Sequence, residues 1–75
     1  MPDFNISLKT ISDVQNFVNI VNKYPCDIEL KSEKYIINAK SMFGIFSLDL
    51  SKPIKIVFDC DDPEEIIADL KSYMV

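Results

Sequence analysis

Asn38-Ala39-Lys40-Ser41-Met42-Phe43-Gly44-Ile45-Phe46-Ser47-Leu48 lies near the middle of the chain, and its reading decides the fold. Taken residue by residue it is ambiguous. Ser41 has the chemistry of a helix N-cap, and Met42, Ile45 and Phe46 fit a helical stripe, but the run spans barely two turns. Its neighbours are clearer. Before it, Cys26-Asp27-Ile28-Glu29-Leu30 and Tyr35-Ile36-Ile37-Asn38-Ala39 read as two short strands. The polar Lys31-Ser32-Glu33-Lys34 between them suits a hairpin loop, although it lacks an Asn-Gly turn signal. After it, Pro53 precedes Ile54-Lys55-Ile56-Val57-Phe58, a further strand with Ile54, Ile56 and Phe58 on one face.

Farther out the periodicity becomes helical. From Thr10 to Tyr24, Ile11, Val14, Val18 and Val21 recur at helical spacing, and Phe17 widens the stripe. Thr10 or Ser12 supplies an N-cap, with Asp13 or Gln15 three residues on. Pro25 ends the helix near Tyr24, because the residue before proline is pushed out of the α region. On the other side, Asp62-Pro63-Glu64-Glu65 reads as N-cap, first-turn proline and capping-box glutamate. Ile66, Ile67, Leu70, Tyr73 and Met74 then continue an amphipathic helix to the C-terminus. At the N-terminal end, Phe4-Asn5-Ile6-Ser7-Leu8 alternates apolar and polar, the mark of a half-buried strand.

The order is β-α-β-β-α-β-α. Four strands with one apolar face and three helices with one apolar stripe predict an α+β fold, a two-layer sandwich in a single domain over 1–75. Its expected core holds Ile6, Val14, Val18, Ile28, Ile56, Phe58, Ile67 and Leu70.

Residue usage narrows the chemistry. The 75 residues carry 8 lysines, no arginine and 12 carboxylates, a net charge of −4. That balance offers no footprint for nucleic acid and no basic stripe for an anionic membrane. Apolar runs are only a few residues long, so neither a transmembrane span nor a signal segment is expected, which points to the cytoplasm. The chain has no histidine, which removes histidine-based triads, proton shuttles and zinc–histidine sites. A single glycine removes every glycine-rich phosphate cradle. Cys26 and Cys60 lack CxxC spacing, and in a reducing cytosol they read as two small buried apolar residues. The acidic stretch Asp59-Cys60-Asp61-Asp62-Pro63-Glu64-Glu65 lacks the glycine and loop length of a calcium-binding hand, so a strand end and a helix start account for it. No catalytic residue, metal or cofactor is expected.

Three segments carry a family resemblance. Lys23-Tyr24-x-x-Asp27-Ile28-x-Leu30 and the run from Asn38 to Leu48 are similar to the HPr family, the histidine-containing phosphocarrier of the bacterial sugar phosphotransferase system, and to its catabolite-repression members. The family pattern around a regulatory serine is Asn-x-Lys-Ser, two apolar residues, Gly, two more apolar residues and Ser-Leu. Asp62 to Leu70 resembles the family's last helix after a slightly shortened connection. The resemblance implies an open-faced β-sandwich, four antiparallel strands covered on one face by three helices.

It also implies two sites, one of them degenerate. Counting back from Ser41 without gaps puts the phosphoacceptor histidine of the family at Thr10, its partnering arginine at Ser12 and its following proline at Asp13. A threonine ester lacks the transfer potential of a phosphorylated imidazole, the guanidinium that would pair with phosphate is missing, and Asp13 adds repulsion. Thr10 then reads as a helix cap worth about 1 kcal/mol. The serine matching Ser41 is phosphorylated in Gram-positive relatives by a bifunctional kinase/phosphorylase. A phosphate there would add about −2 charge at a helix start, next to Lys40 and an apolar patch. Met42, Phe43 and Phe46 match the patch with which the family docks enzymes and regulators, while Ile45 and Leu48 point inward. The bland alternatives are that Ser41 is only an N-cap and that the apolar stripe is only core.

The expected function is a non-catalytic, HPr-like regulatory or interaction protein, unable to relay phosphate through histidine and regulated by phosphorylation of Ser41. Its expected partners are proteins, an HPr-type serine kinase/phosphorylase or a transcriptional regulator. The alternative is a structural or adaptor domain that keeps the fold with no phosphorylation role.

Overall fold

A computed structural model describes residues 4–75. Strand β1 (Phe4–Ile6) leads into α1 (Ile11–Val21), the hairpin β2 (Asp27–Ser32) and β3 (Tyr35–Asn38), then α2 (Met42–Phe46), β4 (Ile54–Asp59) and α3 (Glu64–Asp69). A 3₁₀ turn over Lys71–Tyr73 follows. The element order is the expected one.

The strands form one antiparallel sheet in the order β1-β4-β2-β3. Register sets its two faces. Ile28 stands opposite Phe58 and Leu30 opposite Ile56, while Ile6 pairs with Ile54. All six are buried beneath the helices. Residues of opposite parity, such as Asp27, Glu29, Lys31 and Asp59, are exposed, which makes this a sheet covered on one side. From α1 come Val14, Phe17, Val18 and Val21, from α2 Ile45, and from α3 Ile66, with Leu70 just beyond it. Edge-to-face contacts between Phe4 and Phe58 (centroids 6.1 Å) and between Phe17 and Tyr73 (6.2 Å) tie the ends of the chain to this core.

Several expectations need correction. Ile11 shares the angular stripe of α1 yet is 67% exposed, since helical period reports direction and not whether anything lies opposite. In α3 it is Ile66, not Ile67, that is fully buried; Ile67 only packs at the margin. That helix starts one residue late, with Pro63 at the cap and Asp62 Oδ1 accepting from Glu64 N at 3.3 Å. Nor does it reach the C-terminus. Ser7 N donates to Tyr73 O (2.8 Å) and Val75 N to Asn5 O (2.9 Å), so the last residues bridge to β1. These bonds satisfy backbone that a longer helix would have paired internally. Strand β1 itself stops at Ile6, two residues short of the predicted Leu8, and the Met1–Asp3 part of that segment lies outside the described residues.

The β2–β3 loop is also tighter than expected. Pairing continues to Ser32–Tyr35, leaving only Glu33-Lys34 in the turn, with Glu33 at φ 41°. A tight hairpin demands a positive φ that glycine would adopt more readily. The largest correction concerns the cysteines. Cys26 and Cys60 form a disulfide, Cα–Cα 5.2 Å, and both are half-buried rather than free core residues. Strands β2 and β4 are neighbours in the sheet, so the residues flanking their paired ends, Cys26 before Asp27 and Cys60 after Asp59, meet. No helix among the described residues is long and apolar enough to cross a membrane.

Candidate functional site

The backbone leaving β3 is pinned before it turns into α2. Ala39 N donates to Ile28 O (2.9 Å) and Ala39 is buried. Asn38 Oδ1 accepts from Lys40 N and Asn38 O from Ser41 N, both at 2.9 Å. Ser41 therefore arrives extended (φ −95°, ψ 99°) as the N-cap of α2, its Oγ accepting from Gly44 N at 3.3 Å. Its side chain is otherwise open to solvent.

Gly44 is needed for closeness. A Cβ there would lie 2.7 Å from Ile37 Cγ2 and 3.1 Å from Ser41 Oγ. Ile37 is β-branched and stiff at χ1, so any larger residue would lift α2 off β3 and disturb the cap. The close seating sorts the faces of a five-residue helix. Ile45 is fully buried and Leu48 nearly so, whereas Phe43 is 88% and Phe46 38% exposed. Met42 is half-buried and packs against the core edge.

Lys40 completes the group from the other side. Its Nζ donates to the carbonyl of Tyr24 at 2.6 Å, and Lys40 N is held by Asn38. The Tyr24 hydroxyl in turn donates to Asp69 of α3. That hydrogen bond, with some desolvation and the carboxylate charges of Asp69 and Glu65, pushes the Tyr24 phenol up to about 12. Thus Lys40 and Ser41 lead directly into α2 with its Met42, Phe43 and Phe46, and Lys40 ties this segment through Tyr24 to the helix layer.

Thr10 and Ser12 lie on a different element and are both exposed. Thr10 caps α1, its Oγ1 accepting from Asp13 N at 3.0 Å. In return Asp13 Oδ2 accepts from Thr10 N (3.3 Å) and Lys9 N (3.1 Å). A carboxylate of the chain itself thus stands at this helix start, closing a reciprocal box with the cap. Nearby, a cleft of about 450 Å³ is bordered by Ser7, Lys9, Asp13, Ser72, Tyr73 and Val75; another of about 220 Å³ lies over Asp27, Glu29, Asn38 and Asp59. Neither includes Ser41 or Phe43. The disulfide is the structural feature that residue spacing missed; only the adjacency of β2 and β4 exposes it.

The comparisons with known proteins converge. A family model described as the PTS HPr component phosphorylation site matches residues 13–74. The fold is similar to that of HPr-C-His from Thermoanaerobacter tengcongensis, with TM-score 0.79, 29% identity, and coverage of 96% of this chain and 89% of that one. It is also similar to the phosphocarrier protein HPr from Bacillus anthracis str. Ames, with TM-score 0.71, 27% identity, and coverage of 99% and 94%. No curated protein sequence gives a significant match. The matched span begins after Thr10 and Ser12 and contains the whole 40–46 segment. An open sheet in the order β1-β4-β2-β3, a serine-capped short helix and a family match over residues 13–74 agree: the chain belongs to the HPr family of the phosphotransferase system.

Proposed function

We propose that this HPr-family chain is a non-catalytic regulatory and docking protein of the cytoplasm rather than a phosphate relay. Its working surface is Ser41 with Lys40, Met42, Phe43 and Phe46. The observation that carries this reading is Phe43: an aromatic ring 88% exposed, two residues from a solvent-open serine hydroxyl. A bare ring on a small domain becomes favourable when a partner covers it. Phosphorylation of Ser41 by an HPr-type serine kinase/phosphorylase would add about −2 charge at the rim of that patch. The phosphate would repel an acidic partner and recruit an arginine-bearing one, such as a transcriptional regulator.

Relay chemistry has little support. There is no histidine to form a phosphoramidate. At the position matching the acceptor, Thr10 is a helix cap with the Asp13 carboxylate against it, accepting from Lys9 N and Thr10 N. A phosphoryl group arriving there would meet that carboxylate instead of a guanidinium.

Two incubations followed by intact-mass measurement test the proposal. ATP with an HPr-type serine kinase should add one phosphate, lost in Ser41→Ala. Phosphoenolpyruvate with the general phosphotransferase enzyme should add no acid-labile phosphate. A phosphate relayed to a sugar transporter through this chain would overturn the proposal. The Ser41 hydroxyl bond to Gly44 N favours a second, purely structural reading, which wins if the kinase leaves Ser41 untouched and Phe43→Ala has no effect on any partner.

A further inference from the structure

The Cys26–Cys60 disulfide sits just beyond the last rung of the β2–β4 ladder, where Asp27 stands directly opposite Asp59. Like charges directly opposite one another on antiparallel strands repel. Glu29 lies in the same shallow cleft as both aspartates, and Asp61 and Asp62 follow Cys60 at once. A covalent link therefore closes the one end of the ladder at which two carboxylates face each other. Both cysteines are half-buried rather than enclosed in the core.

The held segment also reaches the Ser41 surface. Tyr24 lies two residues before Cys26; its carbonyl accepts from Lys40 Nζ at 2.6 Å, and its hydroxyl donates to Asp69. Lys40 immediately precedes Ser41. We infer that the disulfide is a reducible clamp that governs the Ser41 face. Closed, it holds Tyr24 where its carbonyl engages the Lys40 ammonium. Open, the Asp27–Asp59 end of the ladder loosens, Tyr24 moves, and the Lys40 ammonium is released beside the serine. What that release regulates rests on the function proposed above; the clamp itself does not.

The chemistry is thiol–disulfide exchange with a dithiol reductant. One of its thiolates attacks a cysteine sulfur, the S–S bond breaks, and a mixed disulfide forms. The second thiolate resolves it. Two electrons and two protons pass to the chain, Cys26 and Cys60 end as thiols, and the reductant leaves as a disulfide.

Lysine reactivity reads the clamp directly. The full chain, oxidised or reduced with dithiothreitol, is pulsed with an amine-acylating reagent and mapped by peptide mass. Lys40 should be acylated roughly threefold or more faster once reduced, as expected of a local opening, while Lys34 at the hairpin tip should not change. C60S should match the reduced protein without any reductant. Near-ultraviolet circular dichroism of the reduced wild type keeps the test independent of whether that variant folds. Equal Lys40 rates in the two states overturn the inference, as does global loss of tertiary signal on reduction, or free thiols persisting after equilibration with oxidised glutathione. A redox-dependent Lys40 rate with no kinase-added phosphate on Ser41 would uphold the clamp and overturn the function proposed for Ser41.

Discussion

Helix α1 starts at Thr10 and α2 at Ser41, and in each a hydroxyl oxygen accepts the N–H three residues on, from Asp13 at 3.0 Å and from Gly44 at 3.3 Å. There the likeness ends. The Asp13 carboxylate accepts from the backbone of its cap, Thr10 N, and from Lys9 N before it, whereas the first turn of α2 holds no acidic residue. Helix α1 turns its aromatic, Phe17, wholly into the core; α2 turns Phe43 wholly outward. One helix start carries a reciprocal box and the other a single cap bond. The same capping chemistry serves both, so the difference lies in what surrounds the cap. A carboxylate stands against one, and an exposed ring lies two residues beyond the other.

The sharpest way to break this contrast is to truncate both rings. Phe17→Ala should cost about 3–5 kcal/mol, as should Phe58→Ala in the sheet beneath it, measured by chemical denaturation. Phe43→Ala should move stability by no more than about 0.5 kcal/mol. If Phe43→Ala destabilises as much as Phe17→Ala, the outward assignment of α2 is wrong. Next in size, Phe43→Ala and Phe46→Ala should each weaken binding of a docked regulator by about 1–2 kcal/mol, followed by calorimetry.

The caps themselves should differ less. Thr10→Ala breaks a reciprocal box and should lower stability by about 1 kcal/mol, while Ser41→Ala, losing one longer bond on a short helix, should lower it by about 0.5 kcal/mol. Equal losses would mean that Asp13 adds nothing to the first cap. The smallest effect concerns the tie behind Lys40. The phenol of Tyr24 is raised to about 12 by its bond to Asp69. A raised acid contributes stability that is fully present below its unfolded value near 10 and is lost as pH climbs through about 12. Near-ultraviolet absorbance should thus show a phenol ionising only near pH 12, and Tyr24→Phe should remove that step.

Much of this surface was legible in residue order. A capping box was legible at Thr10–Asp13 or Ser12–Gln15 because the spacing that allows reciprocal bonds is local, and the structure takes the first. The inner face of β4 was readable for the same reason, since alternation along a strand needs no knowledge of its neighbours. The direction of α2 was not readable from its own residues. Met42, Phe43, Ile45 and Phe46 are all apolar, and only the likeness to HPr proteins placed Ile45 inward and Phe43 outward before the structure did. Gly44 settles the matter physically: the approach of α2 to Ile37 leaves no room for a Cβ, so the helix rests on that side and its rings face away.

What residue order determined by itself were the elements and their sequence, because hydrophobic period acts within a few residues. What the tertiary structure decided were the contacts between distant segments. Cys26 and Cys60, 34 residues apart, read as free thiols until β4 takes its place between β1 and β2 and brings their Cα atoms to 5.2 Å. Met74 belongs by period to a helix, yet the backbone of its neighbours pairs with β1. Ile66 is buried in place of Ile67, and Ile11 is left bare at the start of a correctly read stripe. In each case a local pattern allows more than one outcome, and the winner is set by which surface lies opposite once the sheet has closed.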